Sequence, residues 1–527
     1  MAFQRGLTRN ILRKGNGINY YSTQWKSTSL WKDYLGSQTN DSKIFSLLKD
    51  KSFINDEWVN GSSNETFKVL DPGTSEVIAT LPELNGNDTK NAIDIAFKAL
   101  KPWQKLTIHE RCEITGRIGS LMLLYKEELA RLITIECGKP LNEARGEVGY
   151  AASFFKWFAE EGRRMNGSII PANISNRRML VTKEPVGVVG IITPWNFPGA
   201  MITRKLAPAL VTGCTSVIKP PHLTPLTALA LCEIAKEAGV LPGVINMITS
   251  DKYAKDVGKE ICHNKLVRKL SFTGSTAAGI LLAEQSAKTL KRVSLELGGH
   301  APFIVFDDAN IDNAVNGAIV SKFRNSGQTC VCTNRFYIHK KVENEFVEKL
   351  TKKVKDIKVG HGFMDGITQG PMITESGLQK ADQHLKDAVS KGAEITIGGQ
   401  RKALEYNGNY YEPTVIRNVS SDSIIGSEET FGPVAPIFTF EDDDEVVNMA
   451  NNSDYGLASY FYSDNLNRAL NVSNKLEYGM VGVNSGLISS EIAPFGGVKN
   501  SGIGREGSVW GIDEYINLKY TCIDNVD

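Results

Sequence analysis

The sequence predicts an α/β protein built from two parallel-sheet domains that share a cleft. Three observations carry that expectation. The chain has 527 residues, more than one hydrophobic core normally organises. Between residues 186 and 297 five short β-rich runs alternate with helix-like stretches. A second alternation of the same kind begins at residue 301.

In the first alternation the strands are VGVVGII (186–192), TSVIK (215–219), VINMI (244–248), VRKLSF (267–272) and RVSLEL (292–297). Helices are expected over 200–212, 225–239, 252–263 and 275–288. The second of these opens at Pro225 and closes at Gly239, the usual start and stop residues. Parallel strands require crossovers of this length, and ligands of such sheets bind at the carboxyl ends of the strands. The second alternation runs through APFIVF (301–306), an amphipathic stretch 311–325, a polar loop ending at Cys330, RFYIH (335–339) and a helix over 341–356. The charged segment 441–446 and the Gly-rich stretch 496–507 are assigned to this half, with the domain boundary at Gly298-Gly299.

Composition narrows the function. With 60 Lys+Arg against 59 Asp+Glu the net charge is +1, so no global field favours nucleic acid or an anionic membrane. The apolar runs are much shorter than the roughly 20 residues of a membrane span. Eight cysteines, dilute and without paired zinc spacing, indicate a reducing compartment, no metal centre and mostly buried thiols. The N-terminus departs from this average. Residues 1–32 carry Arg5, Arg9, Arg13, Lys14, Lys26 and Lys32 and no acid. Arg5, Arg9 and Arg13 recur at i, i+4, as Phe3, Leu7 and Ile11 do, and a Ser/Thr-rich stretch follows. That pattern is similar to a mitochondrial presequence, implying the matrix; a disordered basic tail on a cytoplasmic protein is the alternative.

Four local features bear on chemistry. NSGQTCVC (325–332) places Cys330 in a polar loop after a helix, where an exposed thiol can be positioned, although most cysteines are structural. LELGG (295–299) ends an apolar strand on Glu296. Burial there raises a carboxyl pKa and suits a general base; a structural pairing with a neighbouring Lys or Arg such as Arg292 is the other reading. TPWNFP (193–198) holds Asn196 between prolines, offering a side-chain N–H to an oxyanion, or it is a Pro-rich turn. In FTGSTAAG (272–279), Gly274 and Gly279 flank a strand-to-helix turn. Glycines there let a dinucleotide phosphate approach a helix N-terminus, but the spacing is GxxxxG and weak alone.

Together these features resemble the aldehyde dehydrogenase superfamily from about residue 50 to the C-terminus. The family's motifs occur in order: PWNFP, IKP (218–220), FTGST (272–276), LELGG, GQTC (327–330), EETFGP (428–433) and PFGGVKNSGIGRE (494–506). The resemblance implies an aldehyde dehydrogenase-like fold. Residues 50–161 and 188–298 would form a Rossmann-type cofactor domain and 299–504 the catalytic domain. Residues 162–187 and 505–527 would be a β oligomerisation arm and its tail, with 514–522 as the partner strand. It implies Cys330 as nucleophile, Glu296 as the base for the deacylating water, Asn196 as oxyanion donor, and Lys205 and Glu506 as groups that hold or relay protons. Thr193, Trp195, Lys219, His222, Gly274, Ser275, Gly279, Glu429 and Phe431 would contact the cofactor.

Within the superfamily the chain most resembles succinate-semialdehyde dehydrogenases, through ITPWNFPGAMITRK (192–205), KFRNSGQTCVC (322–332) and GVNSGLISSEIAPFGGVKNSGIGREGS (482–508). Arg204, Arg324 and Ser489 match the residues that bind the distal carboxylate there, and a cationic fork is its natural reader. The resemblance points to 4-aminobutyrate catabolism, with glutarate semialdehyde as the nearest alternative substrate and a broad-specificity enzyme the next. Glu296 argues for hydrolysis of the thioester over transfer to coenzyme A, and no catalytic group is missing as it would be in a non-catalytic scaffold. NADP or NAD is implied as cofactor, with NADP favoured: His222 stands where NAD-preferring members often carry a Glu that repels a 2′-phosphate. The partner is a small-molecule substrate, and a homodimer or homotetramer is implied. Cys330 and Cys332, two residues apart, form a candidate redox switch, or Cys332 only packs.

Overall fold

The first alternation folds as an eight-stranded sheet in the computed structural model, which describes residues 46–405 and 407–525. The basic N-terminal segment and its targeting expectation lie outside the described residues. Five parallel strands form the centre, in the order Ile245–Met247, Thr215–Lys219, Val188–Ile192, Val267–Thr273 and Arg292–Glu296. These strands are Val- and Ile-rich because helices cover both faces; every residue of Thr215–Lys219 is buried. Helices Ala200–Thr212 and Leu226–Ala238 stop where Gly213 and Gly239 turn left-handed, at φ 95° and 93°.

Strand order departs from sequence order at one place that matters. After Ile245–Met247 the chain crosses back to lay Val267–Thr273 on the far side of Val188–Ile192. This reversal opens a crevice beyond the carboxyl ends of those two strands, where the loops starting at Thr193 and Gly274 face each other.

The second sheet has seven strands: Glu394–Ile397, Thr414–Arg417, Val434–Phe440, Thr333–His339, Ala301–Val305, Ala458–Tyr462 and Met480–Val483. All pairs but the first are parallel. The chain passes between the sheets at Gly298-Gly299. A Cβ at Gly299 would stand 2.4 Å from the Cys330 carbonyl oxygen, so only glycine lets the crossing run this close to the cysteine loop.

Residues 496–507 do not belong to the second half alone, as the sequence led us to expect. Val498–Lys499 pairs with Tyr455–Gly456, but Gly502–Ile503 adds an antiparallel edge to Arg292–Glu296. The Leu297 N–H donates to the Ser501 carbonyl at 2.9 Å, and the Ser501 hydroxyl to the Gly298 carbonyl at 2.8 Å, which pins the stretch across both sheets. A separate three-stranded sheet pairs Arg177–Pro185 with Ile516–Asp524 on one edge and Ser168–Ile170 on the other. Ile169, Leu518 and Tyr520 are exposed on it. The four helices between Gly86 and Glu161 were not read from the sequence, and the last, Leu141–Glu161, lies against the site described next. Among the described residues no helix is long and apolar enough to cross a membrane.

Candidate active site

Cys330 lies on the loop between helix Ile311–Phe323 and strand Thr333–His339. It is half-buried and its loop is buried, against the exposed loop expected from so polar a sequence. The polar side chains bond inward instead. Asn325 Nδ2 donates to the Asn196 carbonyl at 3.0 Å, Ser326 Oγ to the Gly370 carbonyl at 2.8 Å, and Gln328 Nε2 to the Asn325 carbonyl at 3.1 Å. Gln328 Oε1 accepts from the Ile373 N–H at 3.0 Å. These bonds hold Asn325 and Ser326 in the left-handed region, φ 50° and 56°, at a cost of about 1–3 kcal/mol each. Burial pushes the Cys330 thiol up to about 12, with Arg204 opposing and Glu296 and Glu429 adding. The thiol therefore rests protonated at neutral pH. Cys332 is buried and donates its thiol proton to the Lys322 carbonyl at 3.6 Å.

On one side of Cys330 a cavity of about 300 Å³ is lined by Arg204, Arg324 and Ser489, with Phe197, Met201 and Phe495 forming apolar wall. The three residues matched to carboxylate binding thus share one space with the thiol. Arg204 comes from helix Ala200–Thr212, fully buried, its guanidinium 4.0 Å from the Phe495 ring centre. Its Nε stands 2.7 Å from Glu506 Oε2, an acid on a distant segment and not on its own helix. Arg324 makes no ion pair among the described residues; its guanidinium lies 5.5 Å from the Phe197 ring centre.

On the other side of Cys330 a second cavity, about 620 Å³, occupies the crevice made by the strand reversal. Trp195, Asn196, Gly274, Ser275, Glu429 and Phe431 line it with Cys330. The Ser275 hydroxyl caps helix Thr276–Ala287, whose N-terminal N–H groups favour an anionic group. Trp195 and Phe431 meet edge to face at 5.6 Å, with Phe431 left-handed at φ 54°. Glu429 accepts from the Gly299 N–H at 3.3 Å, and burial raises its pKa to about 7 against Lys380 and Lys322. The glycines of the turn serve packing as well as approach: a Cβ at Gly279 would stand 2.3 Å from the Leu297 side chain, and one at Gly274 2.4 Å from the Phe272 ring. A helix N-terminus, an aromatic edge and a carboxylate in one crevice fit a dinucleotide.

Thr193, Lys219, His222 and Gly279 do not line that cavity. Lys219 ends the strand next to the crevice, its ammonium lowered to about 8 by burial while Asp251 and Glu83 pull the other way. His222 Nδ1 is 3.5 Å from Asp251, and burial, with Lys219, holds the imidazole below its usual value. Glu83, itself buried, accepts from the Asp251 and Lys252 N–H groups at 2.9 and 3.0 Å. The position read as free of negative charge on the strength of His222 therefore has a carboxylate beside it.

Glu296 closes its strand at 3% exposure, and neither carboxyl oxygen has a hydrogen-bond partner among the described residues. Pairing with Arg292 is ruled out, since Arg292 donates to the Asp513 carbonyl at 2.7 Å. Burial drives the Glu296 pKa well above the carboxylate range, and the charge of Glu506 adds to this against Arg204, Lys205 and Arg505. For Glu506 burial acts in the same direction, but its ion pairs with Lys205 and Arg204 outweigh it and keep the carboxylate ionised. Glu296 is thus the neutral member of two neighbouring buried carboxyls, and it lines neither cavity.

Asn196 is 4% exposed; its Nδ2 donates to the Gln328 carbonyl at 3.1 Å and its Oδ1 has no hydrogen-bond partner among the described residues. Its main-chain carbonyl also accepts from Lys139 Nζ at 2.8 Å. Lys139 is ion-paired with Glu147, whose other oxygen takes the Gly199 N–H at 2.9 Å, so one buried pair grips both ends of the Asn196 loop. Sequence reading missed this clamp, because nothing local to GKPLNEARGE shows that its charges are buried. Charges running into the apolar stretch AASFFKWF were the available signal.

The pattern of the aldehyde dehydrogenase family matches residues 58–521. A 3-sulfolactaldehyde dehydrogenase of Pseudomonas putida is 51% identical over 92% of this chain and 98% of its own length. A glutarate-semialdehyde dehydrogenase of P. putida is 51% identical over 92% and 99%. A succinate-semialdehyde dehydrogenase [NADP(+)] of Escherichia coli is 50% identical over 92% and 99%. The crystal structure of a succinate-semialdehyde dehydrogenase from Burkholderia pseudomallei superposes with a TM-score of 0.90 at 50% identity, covering 93% of this chain and 100% of that one.

Proposed function

The chain belongs to the aldehyde dehydrogenase family, and from that premise we propose that it oxidises succinate semialdehyde to succinate with reduction of NAD(P). The observation that carries the substrate is the sharing of one cavity by Arg204, Arg324, Ser489 and Cys330. The three relatives described above are named for aldehydes that end in an anionic group, a carboxylate or a sulfonate. Two guanidiniums lining the cavity are suited to such a group.

In this reading residues 50–161 and 188–298 form the cofactor domain and 299–504 the catalytic domain. Trp195, Ser275, Glu429 and Phe431 hold the dinucleotide, and Thr193, Lys219 and His222 extend its site. The nicotinamide, when bound, accepts the hydride that makes this an oxidation. Cys330 passes its proton to solvent and its sulfur adds to the aldehyde carbon. Asn196 Nδ2 and the Cys330 N–H donate to the oxygen as it becomes an oxyanion, which in a dry site is worth far more than in water. Loss of hydride from that carbon leaves a thioester on Cys330. Glu296, moving out of the Glu506–Lys205 cluster in its ionised form, takes a proton from water as the water oxygen adds to the thioester carbon; the carbon–sulfur bond breaks, the Cys330 sulfur departs as thiolate and succinate leaves. Lys205 and Glu506 hold the proton traffic behind Glu296.

The Arg177–Pro185 and Ile516–Asp524 sheet, with its exposed Leu518 and Tyr520, is the surface through which we expect a homodimer or homotetramer to form. The basic N-terminus directs the chain to the mitochondrial matrix, where it serves 4-aminobutyrate breakdown. Peroxide oxidation of Cys330 and Cys332 to a disulfide would withdraw the nucleophile.

A substrate panel tests the reading. kcat/KM for succinate semialdehyde, glutarate semialdehyde and propanal is measured with NAD and with NADP. Succinate semialdehyde is expected to lead; a preference for propanal sinks the anion-reading cavity. A requirement for coenzyme A would make it an acylating enzyme.

A further inference from the structure

Helix Leu141–Glu161 brings a residue to the substrate cavity that no motif of the sequence pointed to. Gly146, Glu147 and Tyr150 stand on one helical face, spaced so that all three line the cavity with Arg204 and Arg324. A Cβ at Gly146 would meet nothing within 4 Å, so the space beside Tyr150, one turn on, is open. The Tyr150 ring is fixed edge-on against Phe154 at 5.0 Å, and Phe154 in turn lies under the Arg204 guanidinium at 5.4 Å. The hydroxyl oxygen is buried and has no hydrogen-bond partner among the described residues. Both Arg204 and Arg324 act on it electrostatically, against the burial that raises its pKa.

A buried hydroxyl without a protein partner is left to bond whatever enters the cavity, and a ligand that brings an acceptor satisfies it. An ionised carboxylate accepts only, at about four lone-pair positions. Arg204 already shares its guanidinium with Glu506, so it cannot saturate the carboxylate alone. We propose that Tyr150 is a specificity-determining residue of this cavity, its hydroxyl donating to the anionic end-group of the aldehyde beside Arg204, Arg324 and Ser489. The proposal rests on the anion-reading function above and adds a neutral donor to it. An aldehyde with an apolar tail leaves the hydroxyl unpaired, so Tyr150 discriminates against such substrates as well as for anionic ones.

The test is Tyr150→Phe, which removes one oxygen and keeps the ring on Phe154. kcat/KM for succinate semialdehyde is expected to fall about 10-fold to 100-fold, as for a hydrogen bond to a charged group, mainly through KM. kcat/KM for propanal should hold or rise. Inhibition by succinate should weaken by a similar factor, and the melting temperature should not fall. Unchanged selectivity between the two aldehydes overturns the proposal. So does an equal loss with both, which would place the hydroxyl in chemistry common to all substrates or in the scaffold. Failure of the function itself shows up differently, as a wild-type enzyme that already prefers propanal.

Discussion

Replacing Glu296 by Gln should separate the two halves of the reaction. Glu296 rests as a neutral acid among Glu506, Arg204 and Lys205, with both oxygens unpartnered, so a neutral amide of the same size keeps the resting packing. What disappears is the capacity to accept a proton. General-base assistance is typically worth 10²–10⁴-fold, and steady-state kcat should fall by about that factor. The first turnover does not use the base. Stopped-flow absorbance should therefore show a burst of reduced nicotinamide of about one equivalent per site, followed by the slow phase. The raised pKa also sets a stability signature. A buried carboxyl whose folded-state pKa is raised stabilises the fold fully below its unfolded pKa and loses that stability as pH climbs through the folded value. Each tenfold difference in proton affinity amounts to about 1.4 kcal/mol. The melting temperature of Glu296→Gln should thus gain on the wild type as pH rises above the ordinary carboxylate range towards the raised value of Glu296. Over the same rise wild-type deacylation should speed up as Glu296 ionises, while the variant stays flat. A lost burst with an unchanged steady state, or a pH-independent gap in melting temperature, would refute the assignment.

Three further outcomes are expected. Asn196→Ala should lower kcat about 10²–10³-fold with the fold intact, because the Lys139 clamp grips the main-chain carbonyl and not the side chain; wild-type kcat would remove Asn196 from the oxyanion site. Asp251→Asn should raise the NADP/NAD ratio of kcat/KM and His222→Glu should lower it, since the two change the charge beside Lys219 in opposite directions; ratios that do not move would place the ribose elsewhere. Cys332→Ala should make peroxide inactivation irreversible by dithiothreitol, and reversal as complete as in the wild type would show that Cys332 only packs.

Much of this protein was legible as text because its signals are local. The five central strands of the first sheet fall within two residues of the runs read from 186–297, since β-branched composition and Gly and Pro punctuation act over a few neighbours. Cys330, Asn196 and Ser275 could be singled out because each sits in a short motif of the family's ordered set, and the structure sets all three on one cavity. Helix Leu141–Glu161 was not found, because nothing in GEVGYAASFF says which face will meet a cavity. That Gly502–Ile503 also joins the first sheet was not read, because a two-residue strand carries no periodicity.

By itself, then, the sequence determined the α/β class, the strand and helix bounds between residues 186 and 356, and the residue types able to do thiol chemistry. Only the tertiary structure decided the strand reversal that opens the cofactor crevice and the meeting of Arg204 and Arg324 in one cavity. It also decided that Arg204 is shared with Glu506, about 300 residues away, and that Asp251 stands beside His222. The division has a physical cause. Backbone preference depends on adjacent residues, whereas desolvation and charge act through space, so the protonation state of Glu296 follows from neighbours that are remote along the chain.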